Sequence, residues 1–185
     1  METKNEQLLK VAEVELSYKT TIKAKDRIKI NDANDVYTLS KQLLGNSMEH
    51  HEEVYLIMLN NSMKVLGVSQ VSKGGTNQTI VDPKIILQLS ILSNASKVIL
   101  IHNHPSGGLK PSWQDDNLTK TINKIMTLLE IPLIDHVIVT AEGYYSYCDK
   151  DRIDILNKTV STSKNSSPFI DLNNISWANS HNINQ

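Results

Sequence analysis

Apolar positions change their period several times along the central part of the chain. Val36, Leu39, Leu43 and Leu44 recur at helical spacing, with Asn34-Asp35 ahead as a cap and Gly45 near the end, which predicts a helix. Residues 54–59 are continuously apolar and predict a buried strand. Asn60-Asn61-Ser62 reads as a turn, and residues 64–71 as the partner strand of a hairpin that Gly74-Gly75 ends. Asp82-Pro83 opens a second helix, with Ile85, Ile86, Leu89 and Leu92 on one face and Asn94-Ala95 closing it. Residues 98–101 are the next strand, and residues 102–108 a loop. Pro111-Ser112 begins a third helix whose apolar face carries Leu118, Ile122, Ile125, Met126 and Leu129. Two short strands follow, at 133–139 and 144–147. This order predicts an α/β (α+β layered) domain, a mixed sheet covered by helices.

The pattern fades at both ends. Residues 14–18 alternate weakly and suit an edge strand. Lys19, Lys23, Lys25, Arg27 and Lys29 give that region a basic bias, read as a solvated ribbon. From about Asn157 onward Ser and Asn dominate and disorder is expected. We divide the chain into an extension (1–32), a core domain (33–150) and a tail (151–185).

Composition adds limits. With 185 residues, 21 % charged and a formal net charge of −1, the chain has no global basic field of the kind strong nucleic-acid binders carry. Cys148 is the single cysteine, which rules out an internal disulfide and a cysteine-based zinc cage. The first ten residues lack a secretory apolar core and no long apolar run occurs, so a cytoplasmic location without membrane contact is expected.

The chemistry concentrates after residue 101. Two residues apart in extended chain, His102 and His104 share one face, and two imidazoles there can hold Zn²⁺ at about 2.0–2.1 Å. A His-x-His pair alone is weak evidence in a chain with six histidines. Ser112-x-x-Asp115 has two readings. It is a capping box at a helix start, or it supplies a carboxylate as third ligand and leaves a fourth position for water. A general base is also needed, and Glu52 and Glu53 stand at the mouth of the apolar strand. Their side chains point to opposite faces, so only one can serve.

Together these residues resemble the JAMM motif of MPN/JAB metalloproteases. The string Ile101-His-Asn-His-Pro-Ser-Gly-Gly-Leu-Lys-Pro-Ser-Trp-Gln-Asp115 is similar to the RadC branch of that family. Gly75-Thr76-Asn77, Asn94-Ala95, the stretch around Asp135-His136 and Gly143-Tyr-Tyr-Ser146 extend the resemblance over roughly residues 33–150. It implies zinc on His102, His104 and Asp115, Glu52 as general base with Glu53 as the alternative, and Ser112 as oxyanion donor. It also implies a layered fold like that of the cytidine deaminases. Their own ligand pattern of His-x-Glu and Pro-Cys-x-x-Cys is one that Cys148 alone cannot supply. Asn103 is read as a loop hydrogen-bonding residue, Asp135-His136 as a structural or supporting pair, and His50 and His51 as surface residues. Residues 1–30 are too short for the branch's N-terminal helix–hairpin–helix region, and Lys84 stands where the branch carries Arg. The function implied is zinc-dependent hydrolysis of a peptide or isopeptide bond in a peptide or protein substrate. The alternative is a non-catalytic, metal-stabilised module of DNA repair or mobile elements, with DNA as partner.

Overall fold

The computed structural model describes residues 22–74 and 81–158. The first helix, α1, is Ala33–Leu44. It begins two to three residues earlier than the Asn34-Asp35 cap implies. Asp32 is extended and its carboxylate accepts the Asp35 N–H at 3.0 Å. Asp35 in turn reaches back to the Asn31 N–H at 2.8 Å. Asn31, Asp32, Asn34 and Asp35 offer several caps, and the one chosen lets Ala33 and Val36 turn inward together.

The sheet contains β1 (Glu53–Leu59), β2 (Val65–Lys73), β3 (Lys97–Asn103), β4 (Leu133–Val139) and β5 (Tyr144–Ser146), in the order β2-β1-β3-β4-β5. Every neighbouring pair is antiparallel except β3 and β4. A parallel pair needs a crossover, and the chain between them contains α3 (Trp113–Leu128). The other helices are α2 (Pro83–Leu92), capped by Asp82, and α4 (Arg152–Lys158). Hydrophobic periodicity did not mark α4, a seven-residue helix too short to repeat a pattern, and it falls at the start of the segment assigned to the tail. The mixed sheet flanked by helices is the expected α+β architecture.

Both faces of the sheet are buried. On one, Ile57, Leu59, Ile99, Ile101, Val137 and Val139 pack against Val36, Tyr37 and Leu39 of α1. On the other, Val54, Leu56, Met58, Val98 and Leu100 meet Ile86 of α2 and Ile122 and Met126 of α3. Covering on both sides explains why β1 and β3 read as continuous apolar runs rather than alternating ones.

The proposed strand at residues 14–18, the Gly75-Thr76-Asn77 turn and the tail beyond Lys158 lie outside the described residues, as does His181. No helix among the described residues is long and apolar enough to cross a membrane.

Candidate metal centre

Strand β3 runs two residues further than hydropathy indicates, so His102 and Asn103 are strand residues rather than loop. Their backbones stay in register with Ile138 and Val139, and the ladder holds the polar side chains extended. Val54 lies opposite His102. Carried outward, that register sets Glu53 against Asn103 and Glu52 against His104. The pleat then sorts the residues. Glu52, His102 and His104 project to the α3 face, and Glu53 and Asn103 to the α1 face.

Asp115 comes from the first turn of α3, and its two oxygens do different things. Oδ2 accepts the Ser112 N–H at 2.6 Å, while Ser112 Oγ accepts the Asp115 N–H at 3.1 Å, a complete capping box. Oδ1 lies 3.0 Å from His102 Nδ1, and Oδ2 lies 3.5 Å from His104 Nε2. The cap and the inward carboxylate therefore coexist, and the cap aims the carboxylate.

One ligand atom each from His102, His104 and Asp115 falls within 4.8 Å of the others, so these residues could hold a metal ion. His102 provides the test of fit. Both its ring nitrogens are buried and neither has a hydrogen bond of acceptable geometry. A buried polar atom left unpaired costs roughly 1–3 kcal/mol, a penalty that a cation would relieve. His104 Nδ1 lies 2.6 Å from the Gly108 carbonyl, which can only accept, so Nδ1 carries the hydrogen and Nε2 presents its lone pair. Gly107, at φ +79°, makes the return that brings Gly108 back.

The electrostatics point the same way. Burial alone would depress His102, but the Asp115 and Glu52 carboxylates beside it raise its pKa to about 9. Burial would raise Asp115, but the two imidazoles and the Ser112 N–H hold it well below the usual carboxylate range. The pocket attracts positive charge. Glu52 Oε2 is 3.9 Å from His102 Nε2, and that neighbour lowers the Glu52 pKa. The cavity in front encloses about 500 Å³. Val54, Val81 and Leu118 form an apolar wall, and Ser106, Lys110, Ser112 and Gln114 a polar one.

Glu53, the alternative base, is occupied elsewhere. It is only 2 % exposed, contrary to what a charged pair at a strand mouth suggests. Tyr55 Oη and Gln70 Nε2 donate to its Oε2 at 2.7 and 2.6 Å, and His51 Nε2 lies 2.6 Å from Oε1. His51 is thus a half-buried partner of Glu53 rather than a free surface residue, while His50 is exposed.

Asn103 does more than a loop hydrogen bond. Its Oδ1 accepts the Glu53 N–H at 2.7 Å, and its Nδ2 donates to the Met48 and His51 carbonyls at 2.8 and 2.9 Å. One buried carboxamide between the two histidines ties down the segment that carries Glu52.

Asp135 and His136 part at the pleat. Asp135 sits on the α1 face, accepting from Ser146 Oγ and the Cys148 N–H at 2.7 and 2.9 Å. Burial outweighs these bonds and pushes its pKa up to about 6. His136 lies wholly buried behind His102, and burial, with His102 nearby, pulls its pKa down to about 3. Sequence reasoning missed Thr119 and the trio Asp116, Tyr147 and Arg152 around it. The available signal was Thr119 one helical turn after Asp115.

Comparison with known proteins places the chain in a family. A family model described as RadC-like JAB domain matches residues 30–152. A UPF0758 protein of Flavobacterium johnsoniae is 40 % identical over 122 residues, 66 % of this chain and 52 % of that one. One from Porphyromonas gingivalis is 40 % identical over 100 residues, 54 % of this chain and 44 % of its own length. One from Clostridium beijerinckii is 32 % identical over 151 residues, 81 % and 65 %. The chain therefore spans about half to two thirds of the length of these relatives.

Proposed function

Because the chain belongs to the RadC-like JAB domain family, we propose that it is a zinc-dependent hydrolase of JAMM type, acting on an amide bond in a peptide or protein chain. The observation that carries this reading is the convergence of His102, His104 and Asp115 within 4.8 Å, with Glu52 at 3.9 Å from His102. Two neutral imidazoles and one carboxylate are a donor set of catalytic zinc sites, which keep a position open.

Zinc held there supplies Lewis acidity that lowers the pKa of water towards about 7. The chain's own groups do the rest. Glu52, ionised and half-buried, removes the proton of the attacking water and delivers it to the leaving nitrogen. Ser112 Oγ spends a lone pair on the Asp115 N–H, which leaves its hydroxyl proton to donate to the carbonyl oxygen as charge develops. Val54, Val81 and Leu118 accept an apolar side chain and exclude water. Asn103 holds Glu52 at its station through the backbone of its neighbour.

The test has two parts. Metal analysis of purified, metal-replete protein should find about one zinc per chain, lost in His102→Ala and Asp115→Ala. A peptide-library screen should then find cleavage in the wild type and none in Glu52→Gln, which keeps its zinc. Wild-type protein that stays metal-free would overturn the reading.

A further inference from the structure

We infer that His136 and Thr119 are positioning residues for the metal-binding set, fixing the first turn of α3 against the His102 ring; this rests on the metal reading above. The three ligands come from two elements, β3 and α3, so something must hold those elements at the required spacing. Thr119 Oγ1 lies 2.6 Å from the Asp115 carbonyl oxygen and 2.6 Å from His136 Nδ1. A hydroxyl has one proton, and a carbonyl oxygen only accepts. The Thr119 proton therefore goes to Asp115, and His136 Nδ1 must carry the hydrogen that completes the second bond.

That assignment leaves His136 Nε2 with a lone pair, buried and without a hydrogen-bond partner. An apolar side chain could fill the same place without that penalty. What the histidine adds is a directed link from β4 to the turn that carries Asp115. Its ring also lies 6.0 Å from the His102 ring at 17°, and 4.9 Å from the Tyr147 ring at 16°. Tyr147 donates to Asp116 Oδ1 at 3.0 Å, and Arg152 grips the same carboxylate at 2.8 and 2.6 Å. The stack thus braces the plane of His102 from behind, and its far end is tied to the residue beside Asp115. Neither His136 nor Thr119 lines the cavity, so they act through the ligands and not on a substrate.

Thr119→Val keeps shape and removes the hydroxyl, and His136→Phe keeps a flat ring and removes the N–H. Zinc affinity would be measured by competition with a chromophoric chelator, ligand geometry by the visible spectrum of the cobalt(II)-loaded protein, and Tm in parallel. Both variants should bind zinc about 10–100-fold more weakly and show an altered cobalt spectrum. Thr119→Ser should restore both. Ile122→Val, a buried change on the same helix, should lower Tm while leaving zinc affinity within about two-fold. Should His136→Phe fail to fold, Thr119→Val carries the test. Wild-type affinity and spectrum in Thr119→Val would overturn the inference, as would an equal loss in Ile122→Val. A wild type that binds neither ion would instead overturn the metal reading, and the inference with it.

Discussion

The metal-free protein should lose stability as pH rises from about 6.5 to 9, and His102 sets the size of the effect. Its pKa is raised from 6.5 to about 9 in the folded chain. A group whose folded pKa is raised binds its proton more tightly folded than unfolded. The stabilisation is fully present below the unfolded value and is lost as pH climbs through the folded one. At about 1.4 kcal/mol per pKa unit, the shift is worth about 3 kcal/mol. For a domain of this size that is roughly 10 °C in Tm. Thermal melts in a chelator at pH 6.5 and 9.5 would measure it. Cys148, whose thiol burial and the Asp135 carboxylate push up, loses stability in the same direction near the top of the window, so the melts belong in a Cys148→Ser background. His102→Gln should flatten the slope. Zinc must displace the His102 proton, so the stabilisation it confers should grow over the same range. Equal Tm at both pH values in the metal-free wild type would refute the charge coupling among His102, Asp115 and Glu52.

Other outcomes follow from the sorting of polar groups across the sheet. Glu53→Ala strips the acceptor from Tyr55 and Gln70 and should cost roughly 2–4 kcal/mol in urea unfolding, whereas Glu52→Ala, which removes only the more distant of the two carboxylates beside His102, should cost about 1 kcal/mol below pH 9 and less above it. Asn103→Ala leaves one buried N–H and two carbonyls without partners; a loss of about 3 kcal/mol is expected, with turnover falling at least about ten-fold as Glu52 drifts. Ser112→Ala removes the cap, so Tm should fall by the equivalent of about 1 kcal/mol, with partial recovery in Ser112→Thr. Should Ser112 also donate to the oxyanion, the alanine variant should lose about 10²-fold in kcat with zinc content unchanged.

What the sequence by itself determined is local and periodic. The alternation of apolar runs and breakers places β1, β2 and β3, and Pro83 and Pro111 announce α2 and α3, because burial period and proline stereochemistry are carried by neighbouring residues. Locally the residues offered only a His-x-His pair and a carboxylate open to two readings; the grouping of His102, His104 and Asp115 was what the resemblance to the JAMM motif implied. Tertiary structure decided the rest. Whether Glu52 or Glu53 faces the histidines depends on the register of β1 against β3, set by pairing across some fifty residues. Whether Ser112-x-x-Asp115 is a cap or a ligand turned out to be a false choice. The cap consumes one carboxylate oxygen, and the proximity of β3 engages the other. For Asn103, Thr119 and His136 the local sequence offers a hint of a role but not the partner. Each is a polar residue in an apolar stretch or on a helix, and its role exists only because a second element closes over it and supplies the partner its buried polar atoms require.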